Sequence, residues 1–343
     1  MRIVHIVLLL VASVMSVPEA RYVFVGDETG TVRLVDPTTG NLRWQTGGDG
    51  EYVAVAPGRP GLAFVSVAAR DGATTAVFAL PLAQPNPVRI GEVPGRAVVG
   101  RLAPDGSTLF VTRYDATFTE PVEIVMLPVP LAWRGPPATP TASTGSFAAI
   151  SADGRRWYGM QTSVSQTAIY AGVRLRRFEA GDWPVSVDIP LSTDATYFSL
   201  LLAPDGQTLY AVDHGTAGTV SAIDSAGGTI TRRAALRPVG TKRSSCAAAL
   251  SPDGSRIYAL AYDGTREDGI DVIETSTLRR VAHFLPGERL VCVAASPDGN
   301  HLYVSAVDNT PFTPTLRTLD AYTGAPVRTV PLRGGVPFLA LVA

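Results

Sequence analysis

The sequence predicts an all-β protein, a seven-bladed β-propeller of four-stranded antiparallel blades closed by pairing the C-terminal strand with the N-terminal blade. Three observations predict it. Nearly the same ten residues recur five times: Leu102 to Val111, Ile150 to Gly159, Leu202 to Ala211, Leu250 to Ala259 and Ala295 to Val304. The turn aspartates Asp105, Asp153, Asp205, Asp253 and Asp298 are 48, 52, 48 and 45 residues apart. A repeat of that length built of short strands marks a propeller. Finally, the two chain ends are complementary halves of one further blade.

Each element follows from local chemistry. A small-residue strand enters the Pro-Asp-Gly turn, where Pro presets φ and Gly accepts φ > 0. A second strand leaves it, with an aromatic five residues past the aspartate: Phe110, Tyr158, Tyr210, Tyr258 and Tyr303. Val55 to Phe64 is a degraded sixth copy in which Phe64 keeps the register. Third strands follow at Thr31–Asp36, Thr75–Leu80, Val122–Leu127, Val173–Phe178, Val220–Asp224, Ile270–Glu274 and Leu316–Asp320. That makes seven. A turn such as Pro37-Thr-Thr-Gly40 or Ala321-Tyr-Thr-Gly324 then leads to an outer strand. The chain begins its repeats at Tyr22–Val25, a second strand without a first. It stops at Val336–Val342, a first strand without a second. Joining them completes blade seven and hides sheet edges that invite aggregation.

Residues 1–20 read as an export signal. Arg2 supplies the positive start, and Ile3 to Val14 is an apolar run of about twelve, short for a membrane span. Residues 21–343 form the single propeller domain. No other stretch has the length of a spanning helix, so no membrane span is expected once the signal is cleaved. The expected location is the periplasm or the medium. The chain is 343 residues long, 46% hydrophobic, with 29 basic and 30 acidic residues. That balance leaves no electrostatic footprint for nucleic acid. A monomer is expected, with no cofactor.

The Ser-Pro-Asp-Gly-x-x-hydrophobic-Tyr-Val units, followed by a strand ending in Asp and a Thr-Gly turn, resemble the YVTN-repeat seven-bladed propellers over about residues 22–343. That family is similar in turn to quinoprotein amine dehydrogenase heavy chains and seven-bladed lactonases. The resemblance implies the fold and no particular reaction. Asp36-Pro-Thr-Thr-Gly40-Asn-Leu-Arg-Trp44 also resembles the docking motif of quinoprotein alcohol dehydrogenases, in which the Trp pins neighbouring blades. It occurs once here. Arg328 replaces the Trp in the other copy of the turn, so Trp44 reads as packing and no quinone is expected.

Candidate ligand-binding residues lie on the face where second-to-third-strand loops meet the connections between blades. They are Arg113, Asp115, Asp213, His214, Asp263 and Asp308 from the first set, and Arg243 and Arg289 from the second. Loops are wet, so polarity alone does not make any of them functional. His214 has the most suggestive company, in Val212-Asp-His-Gly215, whereas His283 sits on an outer strand. No two histidines fall at metal-ligand spacing, and no nucleophile elbow or phosphate loop is present.

Cys246 and Cys292 lie seven and six residues before their turn aspartates, on inner strands of consecutive blades with opposite parity. In an exported chain this favours a disulfide stapling blade six to blade seven. The alternative is two small buried residues in narrow strands.

The leading expectation is an exported binding or scaffold propeller of unknown ligand, docking a protein or small molecule over the loop face. A lactonase-like hydrolase or lyase would use His214 or Asp213 as base, with Arg113 or Arg243 stabilising an oxyanion. A redox-complex subunit resembling the amine dehydrogenase heavy chain is a further alternative.

Overall fold

A computed structural model gives the fold. It describes residues 10–11, 22–26, 31–47, 52–57, 61–83, 85–103, 106–114, 121–130, 143–144, 148–150, 156–162, 173–179, 182–192, 198–213, 218–236, 247–262, 267–309, 312–332 and 338–342. All regular structure among them is β. Four sheets follow the chain in order, hydrogen-bonded neighbour to neighbour. They are β5–β8 (Tyr52–Pro57, Leu62–Ala68, Thr74–Pro81, Val88–Pro94), β13–β16 (Ala148–Ile150, Arg156–Thr162, Val173–Glu179, Asp182–Ser192), β17–β20 (Phe198–Leu202, Thr208–Asp213, Thr219–Asp224, Ile230–Ala235) and β25–β28 (Leu290–Ala295, His301–Asn309, Phe312–Asp320, Pro326–Pro331).

Three sheets depart from that plan. β9–β11 (Ala97–Leu102, Thr108–Tyr114, Pro121–Pro128) has three strands among the described residues, where four are expected. To the inner edge of β21–β24 (Ala248–Leu250, Arg256–Tyr262, Glu267–Glu274, Arg279–Phe284) two short strands are added, β12 (Ser143–Thr144) and β1 (Leu10–Val11). An inner strand has an open edge, and β12 pairs there through Thr144 and Ala249. The last sheet is built from both chain ends. β29 (Phe338–Val342) pairs with β2 (Tyr22–Gly26), Tyr22 opposite Val342 and Gly26 opposite Phe338. β3 (Val32–Val35) and β4 (Leu42–Thr46) complete it. The degraded repeat copy is the β5–β6 hairpin, with Phe64 fully buried.

The inner turns repeat one hydrogen-bond pattern. Asp205, Asp253 and Asp298 each accept the N–H two residues on, from Gln207, Ser255 and Asn300. The glycine next in line takes φ of 69°, 74° and 72° at Gly206, Gly254 and Gly299. The outer turns do the same around Asp36, Asp224 and Asp320. Four residues past these acids stand Gly40, Gly228 and Gly324, all left-handed. In β21–β24 the acid is Glu274 and the left-handed residue is Leu278, at φ 55°.

Neighbouring sheets are keyed to one another. A Cβ at Gly324 would lie 2.3 Å from Phe284, and one at Gly40 2.3 Å from Val330, so each glycine admits a large outer-strand residue of the preceding sheet. Where Leu278 replaces the glycine, the preceding sheet offers Ala234, packed on the same core. Large meets small at each joint, as close packing demands.

Polar staples run in the same direction. The repeat tyrosines are buried, and two of their hydroxyls cross to the next sheet: Tyr158 to the carbonyl of Ser225 at 2.5 Å, Tyr258 to that of Ala321 at 3.1 Å. Both acceptors directly follow the outer-turn acid. Eight residues past the acid stand Trp44, Arg232 and Arg328. Arg232 donates to the carbonyl of Ser276 and Arg328 to that of Thr38, 2.6 Å away. At this position the two arginines reach the next sheet by hydrogen bonds. Trp44 itself packs edge-on against Phe24, with centroids 6.3 Å apart. The core that surrounds the two-ended sheet takes in residues of both the β5–β8 and the β25–β28 sheets.

Candidate functional site

The loop face is best described at the joint between β5–β8 and β9–β11. Thr75 Oγ1 donates to the carbonyl of Gly95 at 2.8 Å and accepts the N–H of Ala97 at 2.9 Å. Ser66 Oγ accepts the N–H of Val99 at 3.1 Å. These buried hydroxyls fix the connection between the two sheets. Arg113 stands opposite Ala97, and the N–H of Tyr114 bonds the carbonyl of Arg96 at 2.9 Å. Arg96 and Arg113 are thus placed at adjacent positions of two paired segments, both half-buried. The Arg96 side chain lies across the β6–β7 turn, where a Cβ at Gly72 would meet its Nε at 2.6 Å. Arg70 and Asp71 are exposed in that turn, and Asp71 accepts the N–H of Ala73. Burial raises the ionisation threshold of the Tyr114 hydroxyl, which stays neutral.

The other described candidates lie on or beside the β17–β20 and β25–β28 sheets. Asp213 is the last residue of β18, opposite Phe198, and is 1% exposed. It belongs to the strand end and not to an open loop, since its neighbours Val212 and Ala211 carry the strand into the core. Arg289 is half-buried beside Glu288, on the connection into β25. Glu288 itself pairs with Arg317 at 3.2 Å. Asp308 lies on β26 opposite Thr313. Asp115, His214, Arg243 and Asp263 lie outside the described residues. Cys292 is fully buried and disulfide-bonded, on β25 beside a register shift. Cys246, the chain's other cysteine, is outside the described residues.

One charged cluster escaped the sequence. Asp271 on β23 is 4% exposed. His283 Nδ1 lies 2.8 Å from its Oδ1, and Arg280 Nη1 3.4 Å from the same oxygen. A buried carboxylate needs such partners. The two residues stand directly opposite each other in the β23–β24 hairpin. Aligning that hairpin on its turn is the signal that would have paired them. The cluster lies on the third and outer strands of its sheet.

No family model matches the chain, and no curated protein matches it. Solved structures do. A candidate 6-phosphogluconolactonase from Bacteroides fragilis aligns with 96% of this chain and 100% of its own, at 16% identity and TM-score 0.59. Dihydro-heme d1 dehydrogenase NirN, in complex with DHE, aligns over 94% and 75%, at 16% and 0.52. TolB from Acinetobacter baumannii aligns over 86% and 84%, at 11% and 0.50. All are propeller-like. The fold is a β-propeller. At these identities the likeness is one of fold alone, and propellers host many unrelated activities. No helix among the described residues is long and apolar enough to cross a membrane.

Proposed function

We propose that this chain is an exported propeller whose seven sheets are the blades of one closed ring, and that it binds a small molecule or a protein over its loop face. Arg113, half-buried at the loop end of β10, carries the proposal. A half-buried guanidinium suits a carboxylate or phosphate better than a lysine would. The leader, residues 1–20, is removed on export, and Cys292 pairs with Cys246 to staple adjacent blades in an oxidising compartment. A thermal-shift screen against lactones, sugar phosphates, divalent metals and oligonucleotides tests the binding role. An anionic ligand should raise the melting temperature of the protein and not that of Arg113→Ala. No shift with any compound would leave a protein partner as the ligand, to be sought by pull-down.

The likeness to a candidate 6-phosphogluconolactonase favours one second reading, a lactone hydrolase. His214 is the better general base in it, because Asp213 is buried at a strand end. Arg113 or Arg243 would stabilise the oxyanion. Proton release from lactones in weakly buffered solution, compared with His214→Ala, decides it.

A further inference from the structure

The outer strands of four consecutive sheets, β17–β20, β21–β24, β25–β28 and the two-ended sheet, share a composition. β20, β24, β28 and β4 carry Arg232, Arg233, Arg279, Arg280, Arg328 and Arg43, and not one Asp or Glu. All six arginines are exposed. The last described strands of the other three sheets all carry acids: β8 holds Glu92 with Arg89, β11 holds Glu123, and β16 holds Asp182 and Asp188. A chain with 29 basic and 30 acidic residues thus concentrates cationic side chains along part of its rim.

Apolar side chains sit among these arginines. Leu42 is 51% exposed, Val281 54% and Val327 57%. Among the described residues the four strands are also the last of their sheets, so each offers an open row of backbone N–H and C=O groups. Arginines on an edge strand can serve simply to repel other strands. They repel only cationic or neutral ones. For an acidic strand the same row is an attraction, and the exposed Leu and Val supply the apolar contacts that strand addition uses.

We propose that the rim formed by β20, β24, β28 and β4 is a docking surface for an extended acidic segment of a partner protein. The segment adds as a strand to one of these edges. Its backbone pairs with the edge, its carboxylates meet the arginines, and its apolar side chains cover Leu42, Val281 or Val327. Arg232 and Arg328 are partly committed to the next sheet. Arg279 forms no side-chain hydrogen bond or ion pair among the described residues, and Arg43 leans on the Tyr22 hydroxyl at 3.2 Å. Those two are the test positions.

The test is fluorescence anisotropy with a labelled peptide of about eight residues, the length of an ordinary strand. The peptide alternates Glu and Val. A second replaces Glu by Lys, and a third carries a central Pro. The Glu peptide should bind, the Lys and Pro peptides should bind at least about fivefold more weakly, and raised salt should weaken the complex. R43Q/R279Q should weaken it by about threefold or more, and Arg89→Gln should leave it unchanged. Equal binding of all three peptides, or no binding, would overturn the proposal. So would an R43Q/R279Q protein that binds as before, or capture by anionic phosphatidylglycerol vesicles with no response to the peptide.

Discussion

Gly269 sits at φ 79°, and a Cβ there would come within 2.2 Å of the backbone carbonyl of Phe284. Backbone cannot step aside as a side chain can. Gly269→Ala is therefore expected to destabilise the protein by at least about 2 kcal/mol, read as a lower urea midpoint. Tyr258→Phe leaves the packing but orphans the buried carbonyl of Ala321, at a cost of about 1–2 kcal/mol. The turn acids set the response to pH. Burial pushes Asp36 and Asp253 up, but their hydrogen bonds outweigh it and hold both below the ordinary 3.8. The hydrogen bonds from Thr323 and Tyr322 hold Asp320 low as well. Groups with depressed folded values stabilise above their unfolded value, and that stabilisation is lost as pH falls through the folded one. The melting temperature should hold level from pH 7 to about 5 and fall below pH 4. Asp253→Asn should blunt the fall; an unchanged acid limb would show that these turns do not govern it.

At the scale of elements, strands are joined by keyed pairs. Phe284 fills the space over Gly324, and Ala234 makes room for Leu278. Ala234→Phe should overfill its joint, costing about 1–3 kcal/mol. Adding Leu278→Gly should recover part of that loss, since the pair would then match the Phe284–Gly324 joint. A double-mutant cycle in urea measures the coupling, and strictly additive costs would mean the joints are not complementary. The Tyr staples were half legible beforehand. Five aromatics in register announce a repeated inward position, yet the acceptor lies 67 residues away from Tyr158 and 63 away from Tyr258. Nothing local points to it. The equivalence of Arg328 with Trp44 was visible as spacing, but its bond to Thr38 was not.

For the whole molecule the decisive contact is between chain ends. Removing residues 336–343 leaves β2 paired with β3 alone and opens the inner edge of the two-ended sheet. The truncated protein should melt at least about 5 °C lower. A truncate with an unchanged melting temperature would refute closure by this strand. Breaking the Cys292 disulfide with reductant should lower the unfolding free energy as well, by about 2–4 kcal/mol in chain-entropy terms, read as a lower urea midpoint. Peptide mapping without reduction would show whether Cys246 is the partner.

Repeat length, turn chemistry and strand alternation are local, so the sequence alone determined the all-β class, the inner and outer turns and the pairing of the two ends. Even the degraded copy at Val55–Phe64 was readable, because a turn and an aromatic register survive loss of the aspartate. The tertiary structure decided what depends on two distant segments meeting. It set Arg113 opposite Ala97, put Asp213 inside a strand end instead of a loop, and joined Asp271 to His283 across a hairpin. It also left one sheet with three strands among the described residues and lined four consecutive outer strands with arginine. Side-chain chemistry is written residue by residue. Which side chains share a place is set only when separate strands pack, because burial and charge pairing are properties of neighbours in space.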